Sequence, residues 1–169
     1  MHQVLHSSAQ DRLYVYSSSI ELEDLVLIKS TTDRHIDSAQ YYANEEQVGK
    51  AFVESKIPRS DVFLTTKILS AGKDFDSTYT SITDSIKKMS GGSVGYVDLF
   101  LIHSPNAGPE AVKSMWQPLE KAHKEGKIKT IGVSNFGKGQ IEHMKEYATV
   151  WPPHVNQIEV CSSRVPSLM

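Results

Sequence analysis

Polar side chains stand at the ends of five apolar, strand-like runs of this sequence, and their types are those that acid–base catalysis uses. They are Asp37, Lys67, His103, the Ser134–Asn135 pair and Gln157. In a parallel α/β barrel the carboxyl ends of the strands converge on one face, and catalytic residues come from several different strands. We therefore expect these side chains to lie close together in space, although about thirty residues separate successive members along the chain.

The charged members of this set suggest proton transfer from a phenol. Tyr42 follows Asp37 by five residues and precedes a helix-like segment. A phenol has a reference pKa near 10 and donates a proton poorly at neutral pH, but a neighbouring ammonium makes it a stronger acid. Lys67 could supply that ammonium; because a buried lysine is costly unless paired, we expect Asp37 to be its partner. His103 could orient a substrate oxygen, so the set favours carbonyl reduction, with the electron pair supplied by a cofactor.

Each of these residues also has a purely structural interpretation. Asp37 could be a turn former, Lys67 could extend to solvent, Tyr42 could cover the top of a barrel, and His103 could be a structural histidine. The uncharged members of the set could hold an amide group by hydrogen bonds, or they could simply form turns. They are Ser134, Asn135 and Gln157. Polar residues stand at the ends of five separate strands, and this coincidence favours the catalytic interpretation. No second histidine or cysteine has metal-ligand spacing, so we expect no metal site.

The elements that must position these residues alternate along the chain. Strand-like runs separated by helical stretches of ten or more residues indicate βαβ units and a parallel sheet. The predicted helix boundaries are an Asn44–Gln47 capping box, a cap at Asp76, Pro109 in a first turn, and a fourth helix over 138–148. No G-x-G-x-x-G follows a strand, so a doubly wound dinucleotide domain is not predicted. Residues 13–16 could be a further strand and 21–29 a helix, whereas 160–169 read as a loop.

Size and composition predict one soluble globular domain. The chain has 169 residues, 39% of them hydrophobic, and a net charge of -2, which gives no reason to expect nucleic acid or a membrane as partner. The single cysteine, Cys161, excludes an internal disulfide and fits a reducing compartment. No run approaches the ~20 apolar residues of a membrane span, and no secretory signal is visible at the start, so we expect a cytoplasmic protein.

Four segments resemble the aldo-keto reductase family. Residues 34–45 (RHIDSAQYYANE) resemble its first signature, 97–103 (VDLFLIH) the strand with its catalytic histidine, 126–136 (GKIKTIGVSNF) its second signature, and 155–159 (VNQIE) its sixth strand. The resemblance implies a (β/α)8 barrel that uses NADPH to reduce aldehydes or ketones. It implies that Tyr42 is the general acid, tuned by Lys67 and Asp37, and that His103 orients the carbonyl. It further implies that the nicotinamide carboxamide is held by Ser134, Asn135 and Gln157.

The chain also departs from the family. Residues 1–33 are an atypical N-terminal segment, 34–159 a partial barrel domain, and 160–169 an atypical tail. The resemblance covers about strands 2 to 6; strands 7 and 8, whose loops frequently bind phosphate, are absent, so we expect a truncated barrel. Two functions follow: an NADPH-dependent reductase of small aldehydes or ketones, or a non-catalytic reductase homologue that acts as a binding or regulatory protein.

Overall fold

A computed structural model describes residues 34–92 and 95–158, together with the backbone of a strand at 13–15. Six parallel strands form one sheet in sequence order: β1 (Leu13–Val15), β2 (His35–Asp37), β3 (Phe63–Ile68), β4 (Val97–Ile102), β5 (Ile128–Ser134) and β6 (Asn156–Gln157). The described ranges contain four α-helices among these strands: α1 (Glu45–Ser55), α2 (Phe75–Met89), α3 (Pro109–Lys124) and α4 (Lys138–His143). Single 3-10 turns occupy 40–42, 59–61, 105–107 and 144–146.

The sheet is curled as in a barrel. Each strand pairs only with its neighbours in sequence, yet the Gln157 side-chain nitrogen of β6 lies 2.7 Å from Asp37 Oδ2 of β2, four strands away. A flat sheet with strands about 4.8 Å apart would separate these two strands by about 19 Å. The described residues therefore form an incomplete parallel α/β barrel, which confirms the predicted fold class.

The two faces of the sheet are covered differently. In β3, Thr65 hydrogen-bonds His35 across the inner face at 2.8 Å, whereas Thr66 faces outward and hydrogen-bonds Glu45 of α1 at 2.5 Å. The outward residues of the strands pack with the helices into one core, which contains Ile36, Leu64, Ile68, Phe100, Ile102, Ile131, Val133, Val48, Phe52, Ile82, Ile86, Met89, Val112, Met115, Trp116 and Leu119. This core supports the sheet from behind and leaves its inner face to polar side chains at the strand ends.

Two of the predicted helix caps are wrong. Asn44 does precede α1, but its side chain accepts a hydrogen bond from Ser38 Oγ at 2.6 Å and makes no cap. Asp74, two residues before the predicted Asp76, caps α2: its carboxylate accepts from Ser77 N at 2.8 Å, and the Ser77 hydroxyl accepts from Asp74 N at 3.0 Å. Asp76 instead lies in the first turn, where a carboxylate interacts favourably with the helix dipole.

The other boundaries show smaller differences. Pro109 begins α3 as predicted, and the helix continues through the buried Pro118. The fourth helix ends at His143 and tightens into a 3-10 turn over 144–146, short of the predicted residue 148. The parallel sheet begins with β1, ahead of residue 34. The predicted 21–29 helix and 160–169 loop lie outside the described residues. Within the described ranges, no helix is both long enough and apolar enough to cross a bilayer.

Candidate active site

The predicted site residues other than Tyr42 lie at the carboxyl ends of consecutive strands. Asp37, Ser134 and Gln157 are the last residues of β2, β5 and β6, Lys67 is the last but one of β3, and His103 directly follows β4. The parallel pairing of these strands brings their ends to one edge of the curled sheet. The structure therefore gathers these residues on the face where the sequence predicts a site.

Lys67 and Asp37 form a buried ion pair. The ammonium Nζ lies 2.5 Å from Asp37 Oδ1 and also donates to the Ser38 carbonyl oxygen at 3.0 Å. The two side chains are only 3% and 0% exposed. Either charge alone would be costly at this depth, and the contact offsets much of that cost. The predicted pairing of these two residues is confirmed.

Tyr42 lies beside this pair and beside His103. The 3-10 turn over 40–42 brings the Tyr42 ring to 5.2 Å from Lys67 Nζ, measured to the ring centroid. The imidazole of His103 meets the same ring edge to face, with centroids 5.6 Å apart and an interplanar angle of 89°. A phenol, an ammonium, a carboxylate and an imidazole thus occupy one contiguous cluster.

The uncharged residues form a second cluster, joined to the first through Gln157. Ser134 pairs with Gln157 in the β5–β6 ladder, and its hydroxyl donates to the Gln157 carbonyl oxygen at 3.0 Å. The Asn135 amide nitrogen donates to Ser134 Oγ at 3.3 Å from a left-handed backbone conformation, φ 60°. The Gln157 amide nitrogen donates to Asp37, so this side chain connects the two clusters.

This second cluster has a hydrogen-bonding capacity that suits an amide ligand. The Gln157 side-chain oxygen is buried and has no hydrogen-bond partner among the described residues. A buried acceptor without a donor is unfavourable, and an amide N–H from a ligand would satisfy it. The residues present therefore fit a carboxamide group at this end of β6.

Two residues that adjoin the site carry no sequence signal of their own. Tyr41 is 69% exposed, and its ring lies 6.0 Å from that of His103 and 6.3 Å from that of Tyr42. Ser38 contacts Lys67 through its main-chain carbonyl, which a side-chain pattern does not reveal. Within the described ranges, no group of three or more histidine, cysteine, aspartate or glutamate side chains could hold a metal ion.

Proteins similar in sequence to this chain include several oxidoreductases. Glyoxal reductase of Bacillus subtilis (strain 168) is 38% identical over 126 residues, which cover 75% of this chain and 44% of that protein. NADPH-dependent alpha-keto amide reductase of Saccharomyces cerevisiae is 36% identical over 148 residues, covering 85% of this chain and 46% of that protein. The chain thus spans less than half the length of these relatives.

Solved structures agree with this result. An aldo/keto reductase from Brucella melitensis is 40% identical and superimposes with a TM-score of 0.70, covering 80% of this chain and 50% of that one. A Bombyx mori aldo-keto reductase, solved in complex with NADP, is 32% identical with a TM-score of 0.69, covering 82% of this chain and 47% of that one. The family model for the Aldo/keto reductase family matches residues 18–167. With strand order, site geometry and relatives in agreement, the chain belongs to the aldo/keto reductase family.

Proposed function

We propose that this chain carries the acid–base machinery of an oxidoreductase that reduces aldehyde or ketone carbonyls to alcohols with NADP(H). The observation that supports this most is the contact of the buried Lys67 ammonium with Asp37, beside the Tyr42 ring. Relatives whose names denote glyoxal and alpha-keto amide reduction point to the same substrate class.

In the proposed reaction Tyr42 supplies the proton. When bound, NADPH supplies the hydride that adds to the carbonyl carbon. The Tyr42 hydroxyl gives its proton to the carbonyl oxygen, which becomes the alcohol, and the resulting phenolate is later reprotonated from solvent. The nearby Lys67 ammonium favours that phenolate because opposite charges within a few ångströms stabilise the charged form.

The neighbouring residues hold this arrangement. Asp37 fixes the Lys67 ammonium through its Oδ1 contact. His103, whose ring lies against Tyr42, donates a hydrogen bond from a ring N–H to the carbonyl oxygen and so orients the substrate. The carboxamide of the cofactor would be held by Ser134, Asn135 and the side-chain oxygen of Gln157, which has no hydrogen-bond partner among the described residues.

Replacement of Tyr42 by phenylalanine tests the proposal. General acid catalysis typically contributes about 10²–10⁴-fold, so Tyr42→Phe should lower kcat for aldehyde reduction by about 10²-fold or more. NADPH affinity, followed by fluorescence titration, should stay within about twofold because the amide-binding residues lie on other strands. The matched control is Tyr41→Phe, which removes the hydroxyl of the exposed neighbour and should retain activity. A fully active Tyr42→Phe variant would refute the assignment.

The alternative, a non-catalytic binding protein, predicts a different result. Under that alternative the unaltered chain reduces no aldehyde at any cofactor concentration. A chain that neither binds NADPH nor reduces a carbonyl would contradict the proposed enzyme.

A further inference from the structure

The segment that carries Tyr42, residues 38–45, is held together by hydrogen bonds between its own residues. We refer to it as the tyrosine loop. Ser38 Oγ donates to Asn44 Oδ1 at 2.6 Å, joining its two ends. Inside it, the amides of Tyr42 and Ala43 donate to the carbonyl oxygens of Ala39 and Gln40 at 3.0 and 3.1 Å. These bonds shape the loop but do not fix where it lies on the barrel.

Two side chains of the loop attach it to α2. The Gln40 amide nitrogen donates to Ser85 Oγ at 2.9 Å and to Ser81 Oγ at 3.0 Å. Ser85 Oγ in turn donates to Glu45 Oε2 at 3.0 Å. Ser85 of α2 therefore hydrogen-bonds both Gln40 and Glu45 of the loop, which precede it in the sequence by 45 and 40 residues.

Glu45 also attaches the loop to β3. Its Oε1 accepts from Thr66 Oγ1 at 2.5 Å, and Thr66 immediately precedes Lys67. The same carboxylate thus holds the end of the loop that bears Tyr42 and the strand that bears the ammonium. Any shift of Glu45 would alter the distance between these two catalytic groups.

The burial of Glu45 is costly for the fold. The side chain is 4% exposed, and burial raises the pKa of its carboxyl, an effect only partly offset by the hydrogen bonds from Thr66 and Ser85 and by the charge of Lys88. Within the described ranges it forms no ion pair. A carboxylate buried without an ion pair usually destabilises a protein. We therefore look for a role of Glu45 in the groups that its hydrogen bonds hold in position.

We propose that Glu45, acting with Gln40 and Ser85, is a positioning residue that holds Tyr42 in place beside Lys67 and His103. This inference rests on the proposed function only in that Tyr42 is taken as the proton donor. Because a displacement of about 1 Å at a reacting group can cost on the order of 10²-fold in rate, loosening the loop should reduce turnover strongly.

Four variants test the inference. Glu45→Ala removes the contacts to Ser85 and Thr66, and Gln40→Ala removes those to α2 from the other end of the loop. Glu45→Gln keeps an acceptor for Thr66 and a group that can hydrogen-bond Ser85, so it should restore the wild-type behaviour. Glu46→Ala is the matched control, because Glu46 is the next residue of the same helical turn, is exposed, and forms an ion pair with Lys50.

The first readout is amide hydrogen exchange, which does not depend on activity. The amides of Tyr42 and Ala43 should exchange about tenfold faster in Glu45→Ala and Gln40→Ala and at the unaltered rate in Glu45→Gln and Glu46→Ala. Unchanged exchange in both alanine variants would overturn the inference. Should Glu45→Ala fail to fold, Gln40→Ala decides the question, since Gln40 is only half-buried.

The second readout separates positioning from general loosening. In the alanine variants kcat should fall about tenfold or more while NADPH affinity stays within about twofold, because the amide-binding cluster lies on β5 and β6. Equal losses of kcat and NADPH affinity would indicate general loosening and refute a positioning role. If the unaltered chain reduces no carbonyl, the proposed function fails, and the exchange rates alone decide the inference.

Discussion

The buried pair of Lys67 and Asp37 leads to a quantitative prediction about stability. Substituting Lys67→Met keeps the length of the side chain but removes its charge. Asp37, 0% exposed, would then keep its negative charge without a cation. Breaking a buried ion pair by removing one partner typically costs about 3–5 kcal/mol, because the remaining charge is left uncompensated.

The surroundings of Asp37 place the expected cost at the low end of that range. The Gln157 amide nitrogen still donates to Oδ2 at 2.7 Å, and a hydrogen bond to a charged group contributes about 1.5–3 kcal/mol. We therefore expect Lys67→Met to lower the free energy of unfolding by about 3 kcal/mol. Asp37→Asn should cost about 2 kcal/mol, since Lys67 keeps the Ser38 carbonyl oxygen as an acceptor.

The double variant Asp37→Asn/Lys67→Met distinguishes a coupled pair from two independent residues. With both charges removed no buried charge is left uncompensated, so the double variant should lie about 1–2 kcal/mol below the unaltered chain, above Lys67→Met alone. Urea unfolding of the four proteins, followed by circular dichroism, gives the coupling energy, which we expect to be about 3–4 kcal/mol in magnitude. If the costs of the two single variants sum to the cost of the double variant within about 0.5 kcal/mol, the coupling between Lys67 and Asp37 is refuted.

Three further predictions concern other parts of the chain. Gly132→Ala should destabilise the fold by about 1–3 kcal/mol, because an added Cβ would lie 2.5 Å from the Val155 carbonyl oxygen; Gly139→Ala, with no atom within 4 Å, should stabilise it slightly. Urea midpoints for the two variants should therefore move in opposite directions, and a shared direction would contradict the packing. Tyr147→Phe should raise the free energy of unfolding by about 1 kcal/mol, since the hydroxyl is buried without a hydrogen-bond partner among the described residues. In ultraviolet titration of the unaltered chain, the Tyr147 phenol should ionise late, because burial raises its pKa to about 12. Burial also raises the pKa of the Glu45 carboxyl above its unfolded value, so its contribution to stability is complete below the unfolded pKa and is lost as pH rises through the folded one. The stability of Glu45→Gln relative to the unaltered chain should thus increase as pH rises above the unfolded pKa of a glutamate, about 4.3, whereas a constant difference would rule out the raised pKa.

The strand ends could be predicted from sequence because they depend on local pattern. An apolar run that ends in a polar residue and leads into a helix can be recognised within about ten residues of sequence. This pattern holds for Asp37, Lys67, His103 and Ser134. The parallel order of the strands then brings them together without further information.

Features that depend on competition between nearby groups were predicted less well. Asn44 has the sequence of a cap, but Ser38 takes its side-chain oxygen, and that contact depends on how the loop folds back. Asp74 and Asp76 both have side chains that can cap a helix, and only the position of Ser77 three residues after Asp74 selects Asp74, so that Asp76 falls in the first turn of α2.

Apart from the Lys67–Asp37 pair, the long-range contacts of the site were not predicted from the sequence. The Gln157–Asp37 hydrogen bond joins residues 120 apart and exists because the sheet curls. The contacts of Glu45 with Thr66 and Ser85 span 21 and 40 residues, and nothing local distinguishes this glutamate from the exposed Glu46 beside it. Such contacts require the tertiary structure.

The central claim, that Tyr42 and its neighbours serve carbonyl reduction, is tested most directly by tracing the hydride. The chain would be incubated with an aldehyde and NADPH carrying deuterium at both C4 positions, and the alcohol product analysed by mass spectrometry. We predict an alcohol with one deuterium on the carbinol carbon from the unaltered chain, and about 10²-fold less of the same deuterated alcohol from Tyr42→Phe. An alcohol without deuterium, or no alcohol with the unaltered chain under saturating NADPH, would contradict the claim.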